Sequence, residues 1–246
     1  MEQAGTNDNT TCRTVICEKC GEIILTTDDG GRSYYTECGC ERVRRARNNL
    51  EKSGLGRAVK TMTFESYQAR ESWQQKALKT AQEWTEEILK GNAPWLFYGG
   101  EPGSGKTHLC TAACGRLLDS GVAIHYMIWP ETARQLKACY FDKEAFDQLV
   151  HPLKKAPVLY IDDLLKTARS DQRACAVTDR DTDVLMEIIN ARVLANLPTI
   201  ISTEWMLDEL VMAEKGVFSR VYEMSRGYQV QIGRDKGRNW RMKGVN

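Results

Sequence analysis

Eight residues constrain this chain more than any others: Gly100-Glu101-Pro102-Gly103-Ser104-Gly105-Lys106-Thr107 fills the pattern G-x-x-x-x-G-K-[ST] at every position. The apolar run Trp95–Tyr98 precedes the loop and a helical pattern, His108–Asp119, follows it, so the loop joins a strand to a helix. Its glycines let the backbone curl until successive amide N–H groups face one point. The helix N-terminus adds partial positive charge there. Such a cradle suits the phosphates of ATP. The expected contacts are Gly100, Gly103, Ser104, Gly105, Lys106, Thr107 and His108, with Lys106 reaching the β- and γ-phosphates and the Thr107 hydroxyl on Mg²⁺. None of the three histidines has a second at metal-ligand spacing, so His108 also reads as a packing residue.

A phosphate loop needs a partner strand that ends in acid. Val158-Leu159-Tyr160-Ile161-Asp162-Asp163 supplies one downstream. Asp162 is expected to hold the Mg²⁺, and Asp163 to orient or deprotonate an attacking water. Apolar runs of strand length recur from residue 93 onward: Pro94–Gly99, Val122–Trp129, Ala156–Asp162, Pro198–Thr203 and Tyr228–Ile232. Helical stretches separate most of them, which predicts an α/β fold, a five-stranded parallel sheet buried on both faces. Upstream, Trp73, Ala77, Ala81, Trp84 and Ile88 recur at steps of three and four, an amphipathic helix within residues 66–90.

Lys plus Arg is 34 and Asp plus Glu 33, a balance that excludes a polycation or an acidic tail protein. No apolar run approaches the roughly 18 to 20 residues of a membrane span, and the start lacks a secretory pattern. A soluble, cytoplasmic protein is expected, in which nine cysteines read as thiols or metal ligands and not as a disulfide scaffold. Five of the nine fall within the first 40 residues. Cys17-x₂-Cys20 and Cys38-x-Cys40 form two close pairs around an Asp-Asp-Gly-Gly turn, a set suited to a structural Zn²⁺. A unit so small buries little core, so metal would order it; free thiols or a redox pair are the alternative. Residues 41–60 carry seven Arg or Lys against two Glu and suit either an acidic or phosphate-bearing partner or a solvated linker. The expected organisation is a disordered N-terminus over 1–11, a Cys-rich adaptor and basic linker over 12–60, and the ATPase domain over 61–246.

The order of motifs carries a resemblance. GEPGSGKTHL, VLYIDDLLK, IINARVLANLPTIISTE and FSRVYEM, in this sequence, resemble the DnaC/DnaI-type bacterial and phage helicase loaders, AAA+ ATPases related to the IstB transposition helpers. CEKCGEI…ECGCERVRR followed by LEKSGLGRAVKTMTFESY is similar to the Cys-bearing helicase-binding region and linker of such loaders, and the resemblance spans residues 15–243. It implies an AAA+ domain without a C-terminal helical lid and partnership with a replicative hexameric helicase. It also implies contact with single-stranded DNA, self-assembly on ATP binding, and hydrolysis that releases the loader, in a bacterial cell or a phage-infected host. An IstB-like transposition ATPase, or an adaptor that uses ATP as a switch with little turnover, are the alternatives.

Two positions follow from the resemblance. Arg220 matches the arginine finger, which reaches a neighbouring subunit's ATP, although a surface Arg on an amphipathic helix reads equally there. Where many AAA+ proteins end a strand in a sensor Asn, this chain has Ser202-Thr203-Glu204, which leaves either Thr203 or Glu204 to contact the γ-phosphate or its water. In the basic tail, Arg238 or Arg241 either approaches nucleotide or DNA or is simply solvated.

Overall fold

A computed structural model describes residues 15–16, 23–27, 32–35, 40–41, 44, 47–48, 55–166 and 177–240. In the N-terminal part, β1 (Val15–Ile16), β2 (Ile23–Thr27) and β3 (Ser33–Tyr35) form an antiparallel sheet in that order. The pairing of Leu25 with Tyr35 and Thr27 with Ser33 closes a hairpin where the sequence places two strand-like runs. Cys17, Cys20 and Cys38 lie outside the described residues, as do 1–11 and Arg241; Cys40 is helical and half-buried.

The larger part is a three-layer sandwich around β4 (Leu96–Gly100), β5 (Ile124–Ile128), β6 (Val158–Asp162), β7 (Thr199–Ser202) and β8 (Gln229–Ile232). The sheet runs β5-β6-β7-β4-β8 and every pair is parallel, as the alternation of runs predicts. Parallel strands need crossovers, and those helices bury both faces.

Side chains two apart along a strand therefore feed one core layer, and their neighbours feed the other. Phe97, Leu159, Ile161 and Ile201 face α4 (Trp129–Ala138), α5 (Lys143–Lys155), α6 (Asp179–Leu194), α7 (Leu207–Ala213) and α8 (Lys215–Met224). Leu96, Tyr98, Val158, Tyr160 and Ile200 face α1 (Leu55–Thr61), α2 (Ser72–Leu89) and α3 (Lys106–Asp119). Within α2, Ala77, Ala81 and Trp84 are fully buried, the stripe expected from its spacing. Cys110 and Cys114, one turn apart on α3, are likewise core residues.

The boundary expected near residue 60 falls inside α1. That helix belongs to the larger part: Leu55 is buried in the same layer as Ala113, and Val59 packs against Gly115 of α3. Among the described residues, no helix is long and apolar enough to cross a membrane.

Candidate nucleotide site

Three adjacent strands, β4, β7 and β6, end on one side of the sheet, where parallel α/β folds hold their ligands. The loop after β4 turns back over this edge. Its glycines at 100, 103 and 105 have φ of 105°, 70° and 93°, a region that disfavours any side chain. At Gly100 a Cβ would also fall 1.9 Å from the Ile232 carbonyl oxygen, so the close approach of β8 demands glycine twice over. Gly105 is the N-cap of α3, leaving the helix's first N–H groups directed at the loop's concavity.

Lys106 lies at the start of that helix, only 7% exposed, and donates to the carbonyls of Gly100 (2.8 Å) and Glu101 (2.7 Å). Burial pulls its ammonium down to about 8, against the opposing pull of Glu204 and Asp163. It remains mostly charged at neutral pH, with loop carbonyls standing where phosphate oxygens would take over.

Asp162 ends β6 and is almost fully satisfied. One carboxylate oxygen accepts from the Ser202 hydroxyl, the Asp163 N–H (3.1 Å) and, more loosely, the Thr107 hydroxyl (3.4 Å); the other accepts from the Tyr126 hydroxyl (3.0 Å). Burial, reinforced by Asp162 itself, pushes the Tyr126 phenol up, so Tyr126 stays a donor. Thr107 and Asp162 together offer hard oxygen donors beside the loop, a set that fits Mg²⁺.

Asp163 sits just beyond with φ of 54° and accepts from the Lys166 ammonium, which also pairs with Glu204 at 3.1 Å. The two sensor alternatives part company here. The Thr203 hydroxyl is buried and donates to the Leu164 carbonyl at 2.7 Å, bracing the turn after β6, whereas Glu204 lines the open site.

Lys106, Thr107, Asp163, Lys166, Ser202 and Glu204 border a cavity of about 420 Å³, within the usual span for small-molecule sites. One wall is the loop and α3 through His108; a second wall comes from two segments distant in sequence that pack against the loop. Met62, Ser66, Tyr67 and Gln74 precede the sheet, and Arg238 and Trp240 follow it. His108 is held against the first segment: its Nε2 lies 2.9 Å from the Thr63 carbonyl and 3.2 Å from the Ser66 hydroxyl, and its ring meets Tyr67 edge-on. Among the described residues the buried Tyr67 hydroxyl has no hydrogen-bond partner, and burial lifts its pKa to about 12. The C-terminal segment returns over the loop through Trp240 N–H to Gly103 O (2.9 Å) and Asp235 N–H to the Glu101 carboxylate (3.1 Å).

The motifs therefore locate one half of the cavity and the basic tail offers Arg238 as one of its alternatives, while Tyr126, the rest of the second wall and a role for Lys166 escape the sequence. Arg220 lies on α8, half-buried, donating to the Gly216 carbonyl and 3.9 Å from the Met186 sulfur; it does not line the cavity of its own chain.

No protein-family model matches the chain. It is 31% identical over 226 residues to the phage-like element PBSX protein XkdC of Bacillus subtilis, covering 87% of this chain and 81% of that protein. To the replicative helicase loader DnaC of Escherichia coli it is 24% identical over 170 residues, 69% of this chain and 66% of the loader. Crystal structures of the DnaC helicase loader (TM-score 0.58, 21% identity, 70% of this chain and 96% of that one) and of DnaI (0.55, 23%, 74% and 92%) share the fold. With the phosphate loop, the Asp-Asp strand end and this relationship together, the chain belongs to the DnaC-type helicase-loader family.

Proposed function

We propose that this chain is an ATP-hydrolysing helicase loader of DNA replication. The observation that carries the reading is the convergence of the phosphate loop and Asp163 on one cavity of about 420 Å³, with the buried Asp162 directly behind Thr107 of its lining. The loop amides and the α3 N-terminus bind the phosphate chain, and Lys106 exchanges its carbonyl partners for phosphate oxygens. The wall of Tyr67, Gln74 and Trp240 takes the base and ribose. Thr107 and Asp162 would hold Mg²⁺, which would supply positive charge against the phosphates. Tyr126 and Ser202 hold Asp162 in orientation by donating to it. Asp163 accepts a hydrogen bond from the attacking water and aligns it with the γ-phosphorus.

Beyond the site, the family relationship supports a replicative hexameric helicase as partner. Self-assembly on ATP, with Arg220 reaching a neighbour's γ-phosphate, contact with single-stranded DNA and release of the helicase on hydrolysis complete the reading. Cys17, Cys20, Cys38 and Cys40 hold a structural Zn²⁺ that orders the helicase-binding adaptor; elemental analysis giving one zinc per chain, lost in a Cys17→Ser, Cys20→Ser variant, tests this directly.

The central test is Asp163→Asn. It is expected to bind ATP and to lose hydrolysis by about 10²-fold or more, measured as phosphate release beside a pull-down with the helicase. Wild-type hydrolysis in that variant removes Asp163 from its role. Helicase capture by a wild-type chain that binds ATP without turning it over would support the switched-adaptor alternative instead.

A further inference from the structure

We propose that Lys166 reads the γ-phosphate: it is a cation stored between Asp163 and Glu204 that moves onto the γ-phosphate when ATP enters, releasing Asp163 to orient water. The inference rests on the nucleotide-site reading above and adds to it the last residue of the VLYIDDLLK run, to which the sequence assigns no role.

Placement is the first argument. Lys166 lines the same cavity as Lys106, Thr107, Asp163, Ser202 and Glu204. Its ammonium lies 3.1 Å from a carboxylate oxygen of Asp163 and 3.1 Å from one of Glu204. The three side chains are 37%, 34% and 31% exposed. Ion pairs in contact with water are weak, so a partner of higher charge displaces them readily.

The backbone makes the second argument. The turn from Asp163 to Lys166 holds two non-glycine residues, Asp163 and Leu165, at φ of 54° and 56°. That conformation costs free energy for an L-residue and persists only where the surroundings over-determine it. Here they do. Leu164 N–H donates to Ser202 O (2.9 Å), the Thr203 hydroxyl to Leu164 O (2.7 Å), Trp205 Nε1–H to Leu165 O (3.2 Å) and Lys166 N–H to Asp163 O (3.0 Å). Leu164 and Leu165 are buried, so the turn is anchored on both sides of its strain while Lys166 is delivered back to the site.

Charge supplies the third. Asp163 and Glu204 both face the place a γ-phosphate would take, and two carboxylates there repel it. Lys166 is the cation that contacts both of them. When it moves to the phosphate, Asp163 loses its ion-pair partner and its acceptor oxygens turn to water. ADP offers no such destination, so Lys166 stays between the carboxylates. The device thereby distinguishes the two nucleotides.

The test is the ratio of affinities of the full-length chain for a non-hydrolysable ATP analogue and for ADP, each with Mg²⁺, by competition against a fluorescent nucleotide. Lys166→Met keeps the methylenes and removes the charge; it is expected to lower the preference for the ATP analogue about ten-fold. Lys166→Arg restores most of that preference, because only the positive charge and its reach matter. An unchanged ratio in Lys166→Met overturns the proposal, and so does a loss that Lys166→Arg fails to rescue, since that pattern marks a merely structural side chain. A wild-type chain that binds neither nucleotide overturns the nucleotide-site reading itself, a separate outcome.

Discussion

Two buried cations sit at opposite ends of the sheet's parallel strands, and both bind backbone carbonyls. Arg192, on α6, is fully buried: its Nε donates to the Thr199 hydroxyl (2.9 Å), Nη1 to Leu153 O (2.9 Å) and Ala156 O (3.0 Å), and Nη2 to Pro198 O (2.6 Å). It joins the end of α5 to the entries of β6 and β7. Burial draws its guanidinium down to about 10, still charged at neutral pH. Lys106 also donates to carbonyls, but both belong to the phosphate loop, and its ammonium borders a cavity. The difference lies in what surrounds the charge. Arg192 is closed in by buried acceptors, whereas Lys106 has an open side.

That contrast predicts opposite responses to truncation. Arg192→Leu deprives several buried oxygens of a charged donor at once, and a loss of about 3 kcal/mol or more of stability is expected, read from urea denaturation. Nucleotide affinity per folded molecule should barely change. A stable Arg192→Leu protein would mean the carbonyls find water or other donors, and the distinction between the two cations would fail.

Lys106→Ala is the converse and the second largest effect. Nucleotide affinity should fall about 10²-fold or more, because the loop loses the charge that compensates the phosphates. Stability should change by no more than about 1 kcal/mol, since the released carbonyls border an open cavity that water enters. Equilibrium binding and denaturation on the same preparation separate the two. Collapse of the fold in Lys106→Ala would show that the lysine holds the loop together before any ligand arrives.

The two cations also differ in how legible they are in the sequence. Lys106 is announced by glycines at defined offsets, because the chemistry of cradling phosphate demands them. Asp162 is announced by the apolar strand it ends. A five-stranded parallel sheet with a core layer on each face follows from strands buried on two faces, though its strand order does not. The strand bounds differ from the expected runs by one or two residues, as with β5 at Ile124–Ile128 against Val122–Trp129. Arg192 carries a weaker signal. It follows Val184 and Ile188 at steps of four, so it occupies the apolar stripe of its helix, but spacing alone does not say which carbonyls wait there. Lys166 closes the VLYIDDLLK run three residues past Asp163, but the run alone does not reveal the turn that brings it back to the carboxylates. The cavity's second wall, Arg238 apart, depends on where segments distant in sequence come to rest, a matter of tertiary packing. The proposed zinc ligands are a different case: their spacing is clear, and Cys17, Cys20 and Cys38 lie outside the described residues.

A third cation extends the comparison to the rim, where the smallest effect is expected. Arg238 lines the cavity from the C-terminal segment with its side chain 34% exposed. Its guanidinium lies 5.8 Å from the centre of the Trp73 ring, donates to Gly233 O at 3.3 Å and lies 3.7 Å from Asp235. All three contacts are made by a side chain open to solvent. A cation over an exposed aromatic face contributes about 0.5–1 kcal/mol, and an exposed ion pair no more. Arg238→Ala should therefore weaken nucleotide binding by only about two- to five-fold, through loss of one positive charge and one edge of the wall. The weakening should shrink as salt rises, because the charge is screened where those of Lys106 and Arg192 are not. Affinity measured across a salt series checks both points. A salt-insensitive loss of ten-fold or more would place Arg238 in direct, dehydrated contact with the phosphates and move it from the rim into the class of Lys106.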